Sequence, residues 1–136
     1  KAVEENEKNL RLLATAYTLS QETDRAIDAW RDATEYAEDG ELFFRLAQAL
    51  ASEDRHKEAV KAYNDAQKKG DLKKPADAAF WKGISQMQLE RWDSATKSFR
   101  NASRLDKKKS KQARQYIRYI AGEKRRQSEL RKMLEG

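Results

Sequence analysis

The chain has no cysteine, one proline, one histidine and five glycines among its 136 residues. Without cysteine there is no disulfide, no thiolate metal site and no cysteine nucleophile, and the absence says nothing about compartment. A lone His56, set among charges in "EDRHKE", gives a transition metal little to bind and reads as a solvated surface residue. So few glycines and prolines favour helices over a strand-and-turn fold. No apolar run approaches the roughly 18 residues that would span a membrane as a helix. There is no Met at position 1 and no signal-like apolar stretch. The chain therefore reads as an excised domain or a mature product, and missing targeting is no evidence for the cytoplasm.

What is present is charge and aromatic mass. Charged residues and hydrophobic residues each make up 38%, with 12 aromatics, a profile that suits one folded domain with a modest core rather than a disordered chain. The net charge of +6 is unevenly spread. Residues 1–66 carry a balance of −6 and residues 67–136 a balance of +12. An acidic front and a basic back suggest an acidic partner at the back, or head-to-tail self-association.

A repeat organises the chain. Taking Ala26, Ala59 and Ala95 as anchors gives spacings of 33 and 36 residues, a period that signals stacked supersecondary units. Before the anchors, at equivalent offsets, come Leu10, Leu13, Ala14 and Tyr17; Phe43, Leu46, Ala47 and Leu50; and Ala79, Lys82, Gly83 and Gln86. After them come Trp30 and Ala33, Tyr63 and Ala66, Phe99 and Ala102. Offsets of three, four and seven mark one face of a helix. Short polar turns, "SQETD", "SEDR" and "LER", separate the halves. Each unit is thus a helical hairpin. The small residues explain themselves: two helices approach to about 8–9 Å only where small side chains meet.

The spacing predicts helices over 6–20, 23–37, 40–52, 55–69, 76–89, 92–105 and 109–121 or beyond. "ARQYIRYI" repeats the first-helix pattern without a second-helix partner, as a capping helix would. "EKRRQSELRKMLEG" extends that cap or docks on a partner. "KKGDLKKPADA" is the longest interruption, and Pro75 suits the first turn of the helix that follows.

These residues resemble the tetratricopeptide repeat (TPR), whose signature is a unit of about 34 residues with W-x2-L-G-x2-Y, then A-x3-F, then P. "FFRLAQAL…EAVKAYNDA" fits best and "LRLLATAY…RAIDAWRDA" nearly as well. The third unit keeps Gly83, Ala95, Phe99 and Ala102 but departs at Lys82 and Gln86, with Phe80, Trp81, Ile84 and Met87 supplying apolar surface instead. The terminal proline is missing from all three. The alternative is an ordinary helical bundle in which small-residue stripes recur by chance. The resemblance implies an all-α, right-handed TPR solenoid. It would be a single domain over 1–136, with repeats at about 7–39, 40–72 and 76–108 and a capping helix at about 109–134.

In a helical solenoid, function lies on the concave face, and the resemblance implies that the first helix of each hairpin lines it. Residues not used for packing there are Lys8, Arg11, Thr15 and Thr18; Glu41, Phe44, Arg45, Gln48 and Ser52; Asp77, Phe80, Trp81, Ile84, Met87 and Gln88; and Lys111, Arg114 and Arg118 in the cap. The partner-binding groove is expected from Arg11, Thr15, Phe44, Arg45, Gln48, Phe80, Trp81, Ile84, Met87, Arg114 and Arg118. The alternative for Phe44, Phe80 and Ile84 is that they only seal neighbouring hairpins. A peptide with apolar anchors and an acidic end would suit this lining. TPR co-chaperones that grip a C-terminal carboxylate use a Lys/Asn clamp; the matching positions hold Arg11, Thr15, Arg45 and Asp77, which argues against that ligand.

No Gly-rich phosphate loop, nucleophile motif or apolar carboxylate pair is present. The expectation is a non-enzymatic interaction scaffold without cofactor or metal. Two competitors stand beside it. One is self-association. The other is nucleic-acid binding, since twelve Lys/Arg against three acids lie between Arg104 and Lys132, with Tyr116 and Tyr119 interleaved; those tyrosines, however, sit at helix-packing spacing, and a solvated cap is the better reading. "LLATAYTLSQETDRAIDAW" with "YIRYIAGEKRRQ" is also similar to bacterial TPR proteins encoded beside TonB–ExbB–ExbD energy-transduction genes, which implies a periplasmic setting and an envelope partner.

Overall fold

In the computed structural model, which describes residues 2–136, the helical hairpins form and stack in sequence order. The described residues form seven α-helices and no strand. They are α1 (Ala2–Leu19), α2 (Thr23–Ala33), α3 (Glu41–Ser52), α4 (His56–Lys69), α5 (Pro75–Gln88), α6 (Trp92–Leu105) and α7 (Ser110–Glu135). A 3-10 turn at Thr34–Tyr36 tightens the end of α2, which the pattern had extended as regular helix to 37. A second, Lys107–Lys109, leads into α7. The capping helix runs 26 residues, well beyond 121, and carries the "EKRRQSELRKMLE" segment as continuous helix.

Each hairpin closes through the same backbone turn. Gln21, Asp54 and Glu90 occupy the left-handed region at φ 61°, 58° and 57°, and their spacings are again 33 and 36. The residue after each returns its N–H to a carbonyl five residues back: Glu22 to Tyr17, Arg55 to Leu50 and Arg91 to Gln86, at 2.9–3.0 Å. This is the Schellman closure of a helix C-terminus. It is reached here without glycine, so each turn carries the strain of a side chain in the left-handed region. No glycine flags these turns in the sequence.

The small-residue stripe sits where the pattern put it. Ala14 and Ala26, and Ala47 and Ala59, are fully buried, as are Gly83 and Ala95 in the third hairpin. Trp30, Tyr63 and Phe99 follow each anchor into the core. Hairpins one and two share one apolar cluster, to which Ala78 of α5 is added. Phe80, Phe99, Ala102, Ala113 and Ile120 build a second around the third hairpin and α7, with Tyr116 stacked on Phe99 at 5.1 Å. Gly40, at the start of α3, packs on the end of α4: its N–H donates to Gly70 O at 2.7 Å, and a Cβ there would collide with the carbonyl oxygen of Ala66.

Polar groups also bind the units together. Lys82, standing where the repeat favours Leu, reaches Gln67 of α4 at 2.9 Å, and burial lowers its pKa. His56 is not a free surface group. Its side chain is mostly buried and bridges the second and third hairpins, with Nδ1 3.1 Å from Ser85 Oγ and Nε2 3.5 Å from Asp54 Oδ1. The beginning of α4 lies against α5, which the sequence pattern alone did not show.

Candidate peptide-binding groove

The first helices of the hairpins, α1, α3 and α5, carry equivalent residues at the repeat spacing. Leu12, Arg45 and Trp81 form one exposed row; Thr15, Gln48 and Ile84 form the row beside it. Between α1 and α3 the rows open into a cleft of about 560 Å³ lined by Thr15, Thr18, Leu19, Trp30, Arg45 and Gln48, with Ala26, Ala49 and Ser52 also on its walls. A smaller cleft of about 330 Å³ adjoins it, shares Thr15, Trp30 and Arg45, and adds Arg11, Asp39, Glu41 and Lys73. Four of the residues expected in the groove, Arg11, Thr15, Arg45 and Gln48, are thus brought together.

The cleft has a mixed chemistry. The Trp30 indole, delivered from α2, lies on the wall, and its N–H donates to Thr18 Oγ1 at 3.2 Å. The Thr15 and Thr18 hydroxyls turn back to the carbonyls of Arg11 and Ala14, which leaves their methyl groups for apolar contact. The Arg45 guanidinium has only Gln48 Oε1, at 3.4 Å, as its side-chain partner among the described residues. The site thus presents an apolar wall and an available cation, the two features that complement an amphipathic segment.

Several expected groove residues are placed differently. Phe44 is buried and tilts against Tyr63 with ring centroids 6.0 Å apart. Phe80 is buried between Phe99 (5.5 Å) and Tyr116 (5.7 Å), with the Lys109 ammonium 5.3 Å over its ring. Phe44 thus packs inside its own hairpin, whereas Phe80 seals the third hairpin to α7. Ile84 and Met87 are half-buried against the second core cluster. Trp81 stays 44% exposed, edge-on to Phe80 at 5.4 Å. Arg114 and Arg118 lie exposed on α7, outside both clefts. Asp77 is paired with Lys109 at 2.9 Å.

Leu12 and Leu19 were not singled out in the sequence, yet they are 60% and 81% exposed, and Leu19 lines the larger cleft. Their signal was available: Leu12 is one repeat before Arg45, and Leu19 one repeat before Ser52.

Asp54, His56 and Ser85 have the outline of a hydrolytic triad, but Ser85 is 1% exposed and Asp54 sits 3.5 Å from the imidazole. A nucleophile must reach its substrate, and this serine does not. No group of three potential metal ligands occurs among the described residues, and no described helix is long and apolar enough to cross a membrane.

No family model matches the chain, and no curated protein matches it. Solved structures do. The Arabidopsis OM64 TPR domain superposes with a TM-score of 0.76 at 18% identity, over 86% of this chain and 98% of that one. The TPR2B domain of yeast Sti1, in a complex with a pHsp70, gives 0.76 at 20% identity, over 88% and 98%. PcrH, in complex with the chaperone binding region of PopD, gives 0.76 at 17% identity, over 89% and 95%. With three Ala-anchored hairpins, a capping helix and these superpositions, the chain has the tetratricopeptide-repeat fold.

Proposed function

We propose that the protein is a non-enzymatic interaction scaffold that holds a peptide segment of a partner protein on the face formed by its first helices. The observation that carries this reading is the cleft between α1 and α3. There an apolar wall of Trp30 and Leu19 meets the Arg45 guanidinium and the Gln48 amide. Structures of similar fold were solved with partner segments: yeast Sti1 with a pHsp70, and the first TPR of Spaghetti (RPAP3) with the HSP90 peptide SRMEEVD. The mixed lining here favours a segment with an apolar anchor and a carboxylate for Arg45. Trp81 and Leu12 extend the same row of exposed positions. The similarity to TonB-associated proteins supports a bacterial envelope, the periplasm, as the setting of that partner.

The test is capture of partners from extract on the immobilised domain, with nuclease present and at moderate salt, beside an Arg45→Glu/Trp81→Ala variant. Both substituted residues are exposed, so the circular dichroism of the variant should match wild type. A protein retained by wild type and lost from the variant supports the groove. Equal retention by both would remove the groove from the function.

A further inference from the structure

Successive hairpins place their connections on one edge of the solenoid. Gly40 N–H donates to Gly70 O, and Lys73 N–H donates to Glu41 Oε2 at 3.1 Å, so the first connection lies beside the second. A cleft of about 480 Å³ bounded by Lys73, Lys74, Lys108 and Lys109 places the second beside the third. The charges along this edge are graded. Residues 34–40 carry −3, residues 68–74 carry +3 and residues 104–111 carry +4. Two lysine runs far apart in sequence, "KKGDLKK" and "RLDKKKSK", therefore face one another.

Most of this charge is uncompensated. Lys109 is engaged by Asp77, and Asp106 accepts the backbone N–H of Lys108 at 3.0 Å. Lys73, Lys74, Lys107 and Lys108 have no carboxylate partner among the described residues. Like charges brought to one cleft repel, and an anion between them relieves that cost. A second cleft, about 420 Å³, adjoins the first and shares Pro75 and Leu105 with it; Leu72, Arg104, Asn101 and a single acid, Asp71, are also on its wall. Leu105 is 44% exposed. The floor is aliphatic, and neither cleft has an aromatic side chain on which a nucleic-acid base could stack.

We infer that this edge, bounded by Lys73, Lys74, Lys108 and Arg104 over a floor of Pro75 and Leu105, is a docking surface for an acidic protein segment bearing one aliphatic side chain. It adjoins the first-helix groove, whose smaller cleft shares Lys73 with it, while Lys74, Lys108 and Leu105 lie outside both clefts of that groove. The carboxylates of the segment meet the free ammonium groups, and its aliphatic side chain covers Leu105. The attraction is between exposed charges, so it weakens as salt shortens the screening length.

The experiment is fluorescence anisotropy at low ionic strength with a labelled peptide of glutamates flanking a central leucine. The same peptide with a central glycine and a short oligo-thymidine strand are titrated in parallel. The leucine peptide should bind about tenfold tighter than the glycine peptide, the factor that burying one such side chain supplies. Lys74→Glu/Lys108→Glu should weaken it at least about tenfold, and Leu105→Asp should erase the preference for leucine. Arg45→Glu/Trp81→Ala should leave it unchanged. Four results would overturn the inference: no binding of the leucine peptide, equal affinity for the two peptides, tighter binding of the oligonucleotide, or unchanged affinity in the lysine variant. A mass that rises with concentration in wild type, and does not in the lysine variant, would assign the surface to the acidic front of a second copy instead.

Discussion

The Ser98 hydroxyl donates to the side-chain oxygen of Gln86 at 2.5 Å, and both residues are buried inside the third hairpin. At the equivalent positions the second hairpin places Leu50 and Ala62, both buried and apolar. Gln86 is one of the two departures from the repeat pattern in the third unit. The structure accounts for it: an amide replaced the leucine, and a serine replaced the alanine opposite it. A buried polar group is tolerated when its partner comes with it.

Ser98→Ala should therefore destabilise the protein by about 1–3 kcal/mol, the cost of leaving the Gln86 oxygen buried and unmatched. Gln86→Leu with Ser98→Ala recreates the Leu50–Ala62 pair and should recover most of that loss. Urea unfolding of the two variants and wild type measures the difference. A double variant no more stable than Ser98→Ala would mean that the pair does not act as a unit.

Gly83 faces the ring of Phe99, and a Cβ built on it would meet ring carbons at 3.0–3.1 Å. Phe99 cannot easily yield, because it is fully buried and stacked on Tyr116 with the rings within 9° of parallel. The first two hairpins tolerate Ala14 and Ala47 at this position; the third requires glycine. Gly83→Ala gains about 1 kcal/mol of helix propensity but should lose about 1–3 kcal/mol to overpacking. The expected result is a lower midpoint in thermal unfolding, with altered near-ultraviolet circular dichroism from the Phe80–Phe99–Tyr116 cluster. A midpoint above wild type would refute the steric reading.

Tyr63 is buried behind Phe44, and burial pushes its hydroxyl far above the ordinary value of 10.0. Its pKa is raised in the folded state, so above that ordinary value the unfolded chain releases the proton first. The native state then holds more protons, and stability falls as pH rises. The contribution is intact below pH 10 and should decline by about 1.4 kcal/mol per pH unit above it, for as long as the native tyrosine keeps its proton. Lys82 works in the opposite direction, since burial lowers its pKa and deprotonation relieves the folded state. Chemical denaturation at a series of alkaline pH values should show a descending limb that Tyr63→Phe flattens. A limb of equal slope in Tyr63→Phe would assign the alkaline sensitivity elsewhere.

The amino-acid order determined the repeat, because the small residues at 14, 26, 47, 59, 83 and 95 mark where helices must touch, and each aromatic four residues after the second-helix anchor marks where they are filled. It also determined the capping helix, through Ala113, Tyr116, Ile117 and Ile120, which continue the first-helix stripe. That Arg11, Thr15, Arg45 and Gln48 share one face was legible for the same reason, and they line the two clefts beside α1 and α3. The tertiary structure alone decided which flank of each first helix faces the next hairpin. That angle comes from the stacking of whole units, and it moved Phe44 and Phe80 into the core while leaving Leu12 and Leu19 exposed. It also decided what meets across a gap in sequence: His56 with Ser85, and the lysines at 73–74 with those at 108–109. A linear pattern records the period of one helix, whereas these contacts depend on the distance and rotation between two.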